Sequence, residues 1–312
     1  MTSFVRRYGT LAALVAIVIG FSIASPGAFG TASNLINITQ QMTLLAIVAI
    51  GATLVMAVGE FDLSTAALVS FGGILVVVLF KAGVPAPLAC LAVLGGAAVF
   101  GAVSGFIVAR FEVLSFITTL AMGTIIGGVT FWLSSGATLF GDIPAGFRDL
   151  ARGKIAGIPT LTLWLLGVAV LAWVVLDKVE LGRRLYAIGG NREAARLAGV
   201  RIVPNTMMAF VGSAMLSALV GMLLTARIGS ANPTGGGGFL LAAYAAVFLG
   251  MTAFREGEAN VPGTLVGAAI IAVVGNGLTI LGVSTFMQDI ITGLIILAAV
   301  LVRRTGMEGH GR

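Results

Sequence analysis

At 312 residues, with 58% hydrophobic side chains, 10% charged ones and a mean hydropathy of +1.10, the chain lies far outside soluble globular domains, in which about a quarter of residues are charged. Its long apolar runs lack two-residue alternation, which excludes an outer-membrane barrel and leaves an all-α, polytopic membrane protein. The net charge of +6 is spread over loops without aromatic interleaving, so it fits positive-inside topology and argues against a nucleic-acid partner.

Residues 1–25 open with Arg6 and Arg7, run apolar for about 17 residues and end in Ser22-Ile23-Ala24, the outline of a signal peptide with its cleavage site. A chain that goes on to cross the bilayer many times needs no separate export signal, so this run is expected to stay as a first helix with its N-terminus inside. Further apolar segments at about 42–58, 63–80, 86–109, 113–134, 160–176, 205–226, 239–253, 262–282 and 287–302 bring the expected count to about ten, most of them near the ~17–25 residues a spanning helix needs.

An even count puts both termini on the cytoplasmic side. The inner segments then hold Arg6, Arg7, Arg110, Lys178, Arg183, Arg184, Arg192, Arg196, Arg201, Arg255, Arg303, Arg304 and Arg312, and the outer ones only Lys81, Arg148, Arg152, Lys154 and Arg227. That asymmetry is the one positive-inside topology demands. No linker is long enough to separate soluble domains, so 1–312 is expected to be one transmembrane domain.

In VGEFDLSTAALVS (58–70), Glu60 and Asp62 stand at the junction of the second and third segments. Acidic residues this close to hydrocarbon are costly and mark substrate or ion pathways, which makes Glu60, Asp62 and Ser64 candidates for a translocation path. Asp62 or Ser64 equally suits the cap of a third helix, a role not open to Glu60. The outer loop 136–159, with Pro144, Pro159, Gly141, Gly146, Gly153 and Gly157, reads either as a small cap for a soluble partner or as an ordinary exposed loop.

The one long polar stretch is 177–204, DKVELGRRLYAIGGNREAARLAGVRIVP, which carries six of the eighteen Lys and Arg residues. Its second half is expected to form a helix of about seven residues, with Asn191 as N-cap, Glu193 in the first turn and Gly199 at the stop. A helix that short is marginal alone, so it must dock on something, either a partner or the membrane surface. Ala194, Ala195, Leu197 and Ala198 offer it a small apolar surface beside Arg192 and Arg196.

Farther on, the segment at 239–253 is short and follows GSANPTGGGG (229–238), so a half-helix or a helix tilted in from a re-entrant loop is expected. Asn276, at a helix centre, and Asp289 must find partners in the bundle interior, as interhelical bonds or as path lining. Small-xxx-small spacings at Gly101/Gly105, Gly123/Gly127, Gly263/Gly267 and Ser213/Ser217/Gly221 predict close helix packing. Cys90 is the single cysteine and His310 the single histidine, so neither a disulfide nor a metal site is expected. GxxxxGK[ST], GxSxG and HExxH do not occur, which argues against an enzyme; if transport consumes ATP, the nucleotide sits on another chain.

LGRRLYAIGGNREAARLAGVRI (181–202) closely resembles the cytoplasmic loop of the permease subunits of bacterial ABC importers for ribose, xylose, arabinose and similar sugars. EFDLS (60–64), SANPTGGGGFLLAAYAAVFLG (230–250), PGTLVGAAI (262–270) and NGLTILGVS (276–284) extend the resemblance, in order, over residues 34 to 302. It implies a multi-pass protein of the bacterial inner membrane, working as a homodimeric pore with a periplasmic solute-binding protein outside. An ABC ATPase holding ATP and Mg would dock on the 177–204 loop through Gly189, Gly190, Asn191, Glu193, Ala194, Arg196, Leu197 and Gly199. Members of that group usually have GIDLSVG where this chain has EFDLSTA, and acidic residues where it has Leu240 and Ala242; MTAFREGEANV (251–261) likewise replaces a glycine-rich segment. A proton-coupled secondary transporter using Glu60, Asp62 or Asp289 is the competing reading, and a docking helix speaks against it.

Overall fold

The computed structural model describes residues 3–255, 257–284, 286–288, 290–295 and 297, and its regular structure is overwhelmingly helical. Helix α1 spans Ser3–Ala24 and α2 Ala32–Ala57. The latter starts ten residues before the expected position of 42. Its polar first turns are satisfied locally: the Thr31 hydroxyl accepts from the Asn34 N–H, and the Thr39 and Thr43 hydroxyls donate back to the carbonyls of Leu35 and Thr39. Hydropathy alone therefore missed a helix start that side-chain hydrogen bonds make affordable in an apolar setting.

The chain continues through α3 (Thr65–Lys81), α4 (Ala86–Phe111) and α5 (Ser115–Ser134). The stretch 136–159 is folded, containing β1 (Leu139–Phe140), α6 (Ala145–Arg152) and the ribbon β2–β3 (Lys154–Ile155 with Ile158–Pro159). Phe147 and Ala151 of α6 are buried, and the Phe147 ring meets Phe80 edge-on at 4.9 Å. Next come α7 (Thr160–Asp177), α8 (Glu180–Gly190), α9 (Arg192–Leu197) and α10 (Ile202–Ile228). After β4 (Ser230–Ala231), α11 covers Phe239–Gly250 and α12 Val261–Ile280.

Six of these helices, α2, α4, α5, α7, α10 and α12, are long and apolar enough to cross a membrane. The other expected segments are the apolar stretch Gly9–Ala24 of α1, the shorter helices Thr65–Lys81 and Phe239–Gly250, and the described helical residues 286–288 and 290–295. At 12 residues, α11 is about 18 Å long, shorter by itself than the ~30 Å hydrocarbon core of a bilayer. Asp289 and His310 lie outside the described residues.

Helix α10 is the central post, packed against α4, α3 and α2. Glycine permits this closeness: a Cβ on Gly101 would stand 2.6 Å from the Phe210 carbonyl, and one on Gly72 or Gly221 would overlap the backbone of Ala218 or Val69. Gly263 and Gly267 meet α11 in the same way, at Gly250 and Ala246. Gly127 faces open space, so the 123/127 pair does not mark a helix contact at both positions. The outward faces of α4, α5 and α7 stay apolar, with Leu91, Val99, Ile117, Trp132 and Leu171 exposed, as a surface against lipid must be.

The two ends of α10 separate two groups of loops. At the Ile228 end, β1 pairs with β4 and Arg152 Nε donates to the Arg227 carbonyl at 2.8 Å. At the Ile202 end, Arg255 meets Asp177 at 3.1 Å and Arg192 reaches Ala109.

Candidate functional site

Between α2 and α3 the backbone is non-helical from Val58 to Ser64, and this segment enters the bundle. Ser213 Oγ donates to Asp62 Oδ2 at 2.9 Å from eleven residues inside α10, about 17 Å along its axis. Irregular backbone at such depth survives only if protein groups satisfy it. The N–H groups of Phe61, Asp62 and Leu63 donate in turn to Ser115 Oγ (3.1 Å), Tyr244 OH (2.6 Å) and Thr119 Oγ1 (3.0 Å). Ser115 and Thr119 project from α5, one turn apart, and Tyr244 from α11.

Asp62 is 1% exposed. Its Oδ1 accepts from the Ser64 N–H at 3.0 Å and the Ser64 hydroxyl at 2.5 Å, so it closes the first turn leading into α3 as well as tying that turn to α10. Ser64 is the N-cap residue by position but makes no capping bond with its own side chain. Tyr244, Phe61 and Phe248 form an aromatic cluster beside it, with centroids 5.6 to 6.4 Å apart. Nearby, the Gly236 N–H donates to Ser70 Oγ at 2.9 Å, which brings the glycine run ahead of α11 onto the first turns of α3.

Glu60 points the other way, toward the Ile202 end. It lies 3.9 Å from Arg192 and lines a cavity of about 310 Å3 with Phe61, Tyr186, Gly189 and Glu258. Burial pushes its carboxyl above the ordinary value of 4.5, against the opposing pull of the Ser115 hydroxyl and the Arg192 guanidinium. Burial also pushes the Tyr186 hydroxyl up to about 12, and that hydroxyl donates to the Ala259 carbonyl at 2.8 Å.

In the polar stretch, Asn191 Oδ1 accepts from the Ala194 N–H at 2.9 Å and so caps α9. Gly199, with φ of 81°, ends it in the left-handed conformation that glycine adopts without strain. Glu193 and Arg196 pair with each other on the exposed side at 2.9 Å. Ala194, Leu197 and Ala198 are exposed, Leu197 at 81%, whereas Ala195 is buried against the protein's own core. The expected apolar surface is thus narrower than the four residues read from sequence, because α9 already spends one of them on the bundle.

The first half of the stretch is the helix α8, which the sequence reading did not assign. Its signal was present in Leu181, Leu185 and Ile188, a one-sided apolar spacing. Gly189, near its end, sits against the backbone of Ala57 and Gly59, so close that a Cβ would overlap the Ala57 carbonyl. Asn276 makes a reciprocal amide pair with Asn34 of α2, at 2.9 and 3.0 Å, far from the 58–64 segment in sequence and joined to different helices. Among the described residues no group of three or more His, Cys, Asp or Glu side chains is placed to hold a metal ion. The structure therefore joins Asp62 to Ser64, turns Glu60 away from them toward Arg192 and Gly189, and sets Asn276 apart in a helix–helix contact. The hydroxyls of Ser115, Thr119 and Tyr244 were not singled out in the sequence, and Ser213 was named only as a small packing residue; the Ser-x-x-x-Thr spacing in α5 was the available hint.

Residues 34–300 match the family described as branched-chain amino acid transport system / permease component. The ribose import permease protein of Escherichia coli (strain K12) is 39% identical over 314 aligned residues, which cover 95% of this chain and 96% of that protein. Its counterpart in Bacillus subtilis (strain 168) is 36% identical over 300 residues, covering 96% and 93%. The D-allose transport system permease protein of Escherichia coli (strain K12) is 33% identical over 304 residues, covering 96% and 91%. No solved structure matches the chain.

Proposed function

The chain belongs to the branched-chain amino acid transport system / permease component family, and from that membership we propose that it is the membrane permease subunit of an ATP-driven importer for a small sugar or related polyol. The observation that carries the solute class is the 33–39% identity, over nearly the whole chain, to permeases for ribose and allose. Such a subunit performs no catalysis. ATP and Mg would be bound by a separate ABC ATPase docking on 177–204 through Gly189, Gly190, Asn191, Glu193, Ala194, Arg196, Leu197 and Gly199. Support for that dock comes from the exposed Leu197 on a capped helix of six residues, too short to stand alone in water.

In this reading the chain is one domain of ten spans in the bacterial inner membrane, with both termini cytoplasmic, and it pairs with a second copy. The cap at 136–159 faces outward, toward a periplasmic solute-binding protein. Glu60 stands at the inner mouth of the path; Asp62 and Ser64 shape the segment behind it, and Asn276 holds α12 to α2. Uptake in proteoliposomes that contain the permease, its ATPase and its binding protein tests the proposal. Ribose and allose are the first solutes to supply, and uptake should require ATP. Uptake driven by a proton gradient with no ATPase present would overturn it.

A further inference from the structure

We propose that Arg192 is the strut that carries movement of α9 into the 58–64 segment, acting through Glu60 and the C-terminal end of α4. This rests on the reading of α9 as the ATPase contact. Among the charged residues of α9, Glu193 and Arg196 face outward and pair with each other, while Arg192 turns inward. Its Nη2 donates to the Ala109 carbonyl at 2.7 Å, one of the last carbonyls of α4, where the helix dipole favours a cation. The same nitrogen lies 3.6 Å from Glu112, which caps α4 in the left-handed conformation, and Nη1 lies 3.9 Å from Glu60.

One planar guanidinium therefore touches α9, the end of α4 and the residue just before Phe61. The planar fork of an arginine holds two nitrogens at a fixed spacing, so Nη1 can face Glu60 while Nη2 faces Ala109 and Glu112. The contacts at 3.6 and 3.9 Å are too long for hydrogen bonds, so they orient rather than clamp. Beside them the end of α8 rests on Gly59 through backbone alone, with the Gly189 Cα 3.4 Å from where a Cβ on Gly59 would lie. A push on α9 is thus delivered to residues 59 and 60 together. Two residues later stands Asp62, held by Ser213 of the central post, and between them Phe61, held by α5. Inserting a strut at Glu60 is the physical use of an acidic residue that has neither a capping role nor a full ion pair.

The experiment uses proteoliposomes with the transporter's own ATPase and binding protein, and compares Arg192→Gln, Glu60→Gln and the double variant. It reads ATPase co-purification, ATP hydrolysis and solute taken up per ATP. The ATPase should co-purify with Arg192→Gln while solute per ATP falls about tenfold, with a similar fall for Glu60→Gln. The double variant should be no worse than the stronger single one, since both cut the same link. Solute per ATP within about twofold of the unmodified protein, or losses that multiply in the double variant, overturns the proposal. Loss of ATPase co-purification with Arg192→Gln also overturns it, because Arg192 is then a docking contact. If Arg192→Gln fails to insert, Arg192→Lys keeps the charge without the fork and should still lower solute per ATP by about threefold; an unaltered ratio overturns the proposal. Uptake by the unmodified permease with no ATPase present would instead sink the reading of α9 as the dock.

Discussion

Asp62 shows how a carboxyl can sit deep in an apolar bundle and still be structural. Both of its oxygens are occupied, by Ser64 on one side and Ser213 on the other. Replacing it with alanine strands a backbone N–H and two hydroxyls in a dry interior, so Asp62→Ala should cost on the order of 3 kcal/mol in denaturation of the detergent-solubilised protein. A loss under about 0.5 kcal/mol would mean that water reaches the site. Glu60 should behave in the opposite sense. Because burial raises its pKa in the fold above the ordinary 4.5, the stability linked to its neutral form is complete below that pH and lost as pH rises through the folded value. Glu60→Gln should therefore unfold at a higher temperature than the unmodified protein at pH 7.5, with the gap closing below pH 4.5. A lower unfolding temperature at pH 7.5 would show that the Arg192 contact outweighs burial.

Elements whose ends are set by local chemistry were readable from sequence, and those set by distant partners were not. Asn191 and Gly199 bracket α9 with a cap and a left-handed stop, and both act within a few residues. The start of α2 was misplaced although Thr31, Thr39 and Thr43 bond locally, because the amide of Asn34 is completed only by Asn276, 242 residues away. The same holds for the candidate site: Glu60, Asp62 and Ser64 stand out as polar residues in an apolar run, but Ser213 and Tyr244 are ordinary hydroxyls until the fold brings them across 151 and 182 residues. At α9 the expectation is sharp. Gly199→Pro cannot adopt a φ of 81°, and Glu193→Arg places two cations side by side with Arg196. Both variants should insert at normal yield and lose at least about tenfold of ATP-driven uptake. ATPase co-purification at the unmodified level would argue that α9 is not the contact.

Across the whole chain, the sorting of loops to the two ends of α10 makes the topology testable without function. After replacement of Cys90, single cysteines placed in 180–199 should react with a membrane-impermeant thiol reagent only from the cytoplasmic side, and those in 141–157 only from outside. Labelling of both regions from one side would remove the even span count on which the sidedness rests. The hydroxyl bonds of the 58–64 segment carry a further implication for how the molecule can change shape. Phe61, Asp62 and Leu63 are fastened by alcohols on α5 and α11, not by backbone carbonyls. A hydroxyl can donate or accept a hydrogen bond, so parting α5 from α11 would break at least one of these bonds and leave an amide and a hydroxyl without their partners. On the proposed reading of the solute, a polyol passing that point would bring hydroxyls able to take up the hydrogen bonds just released.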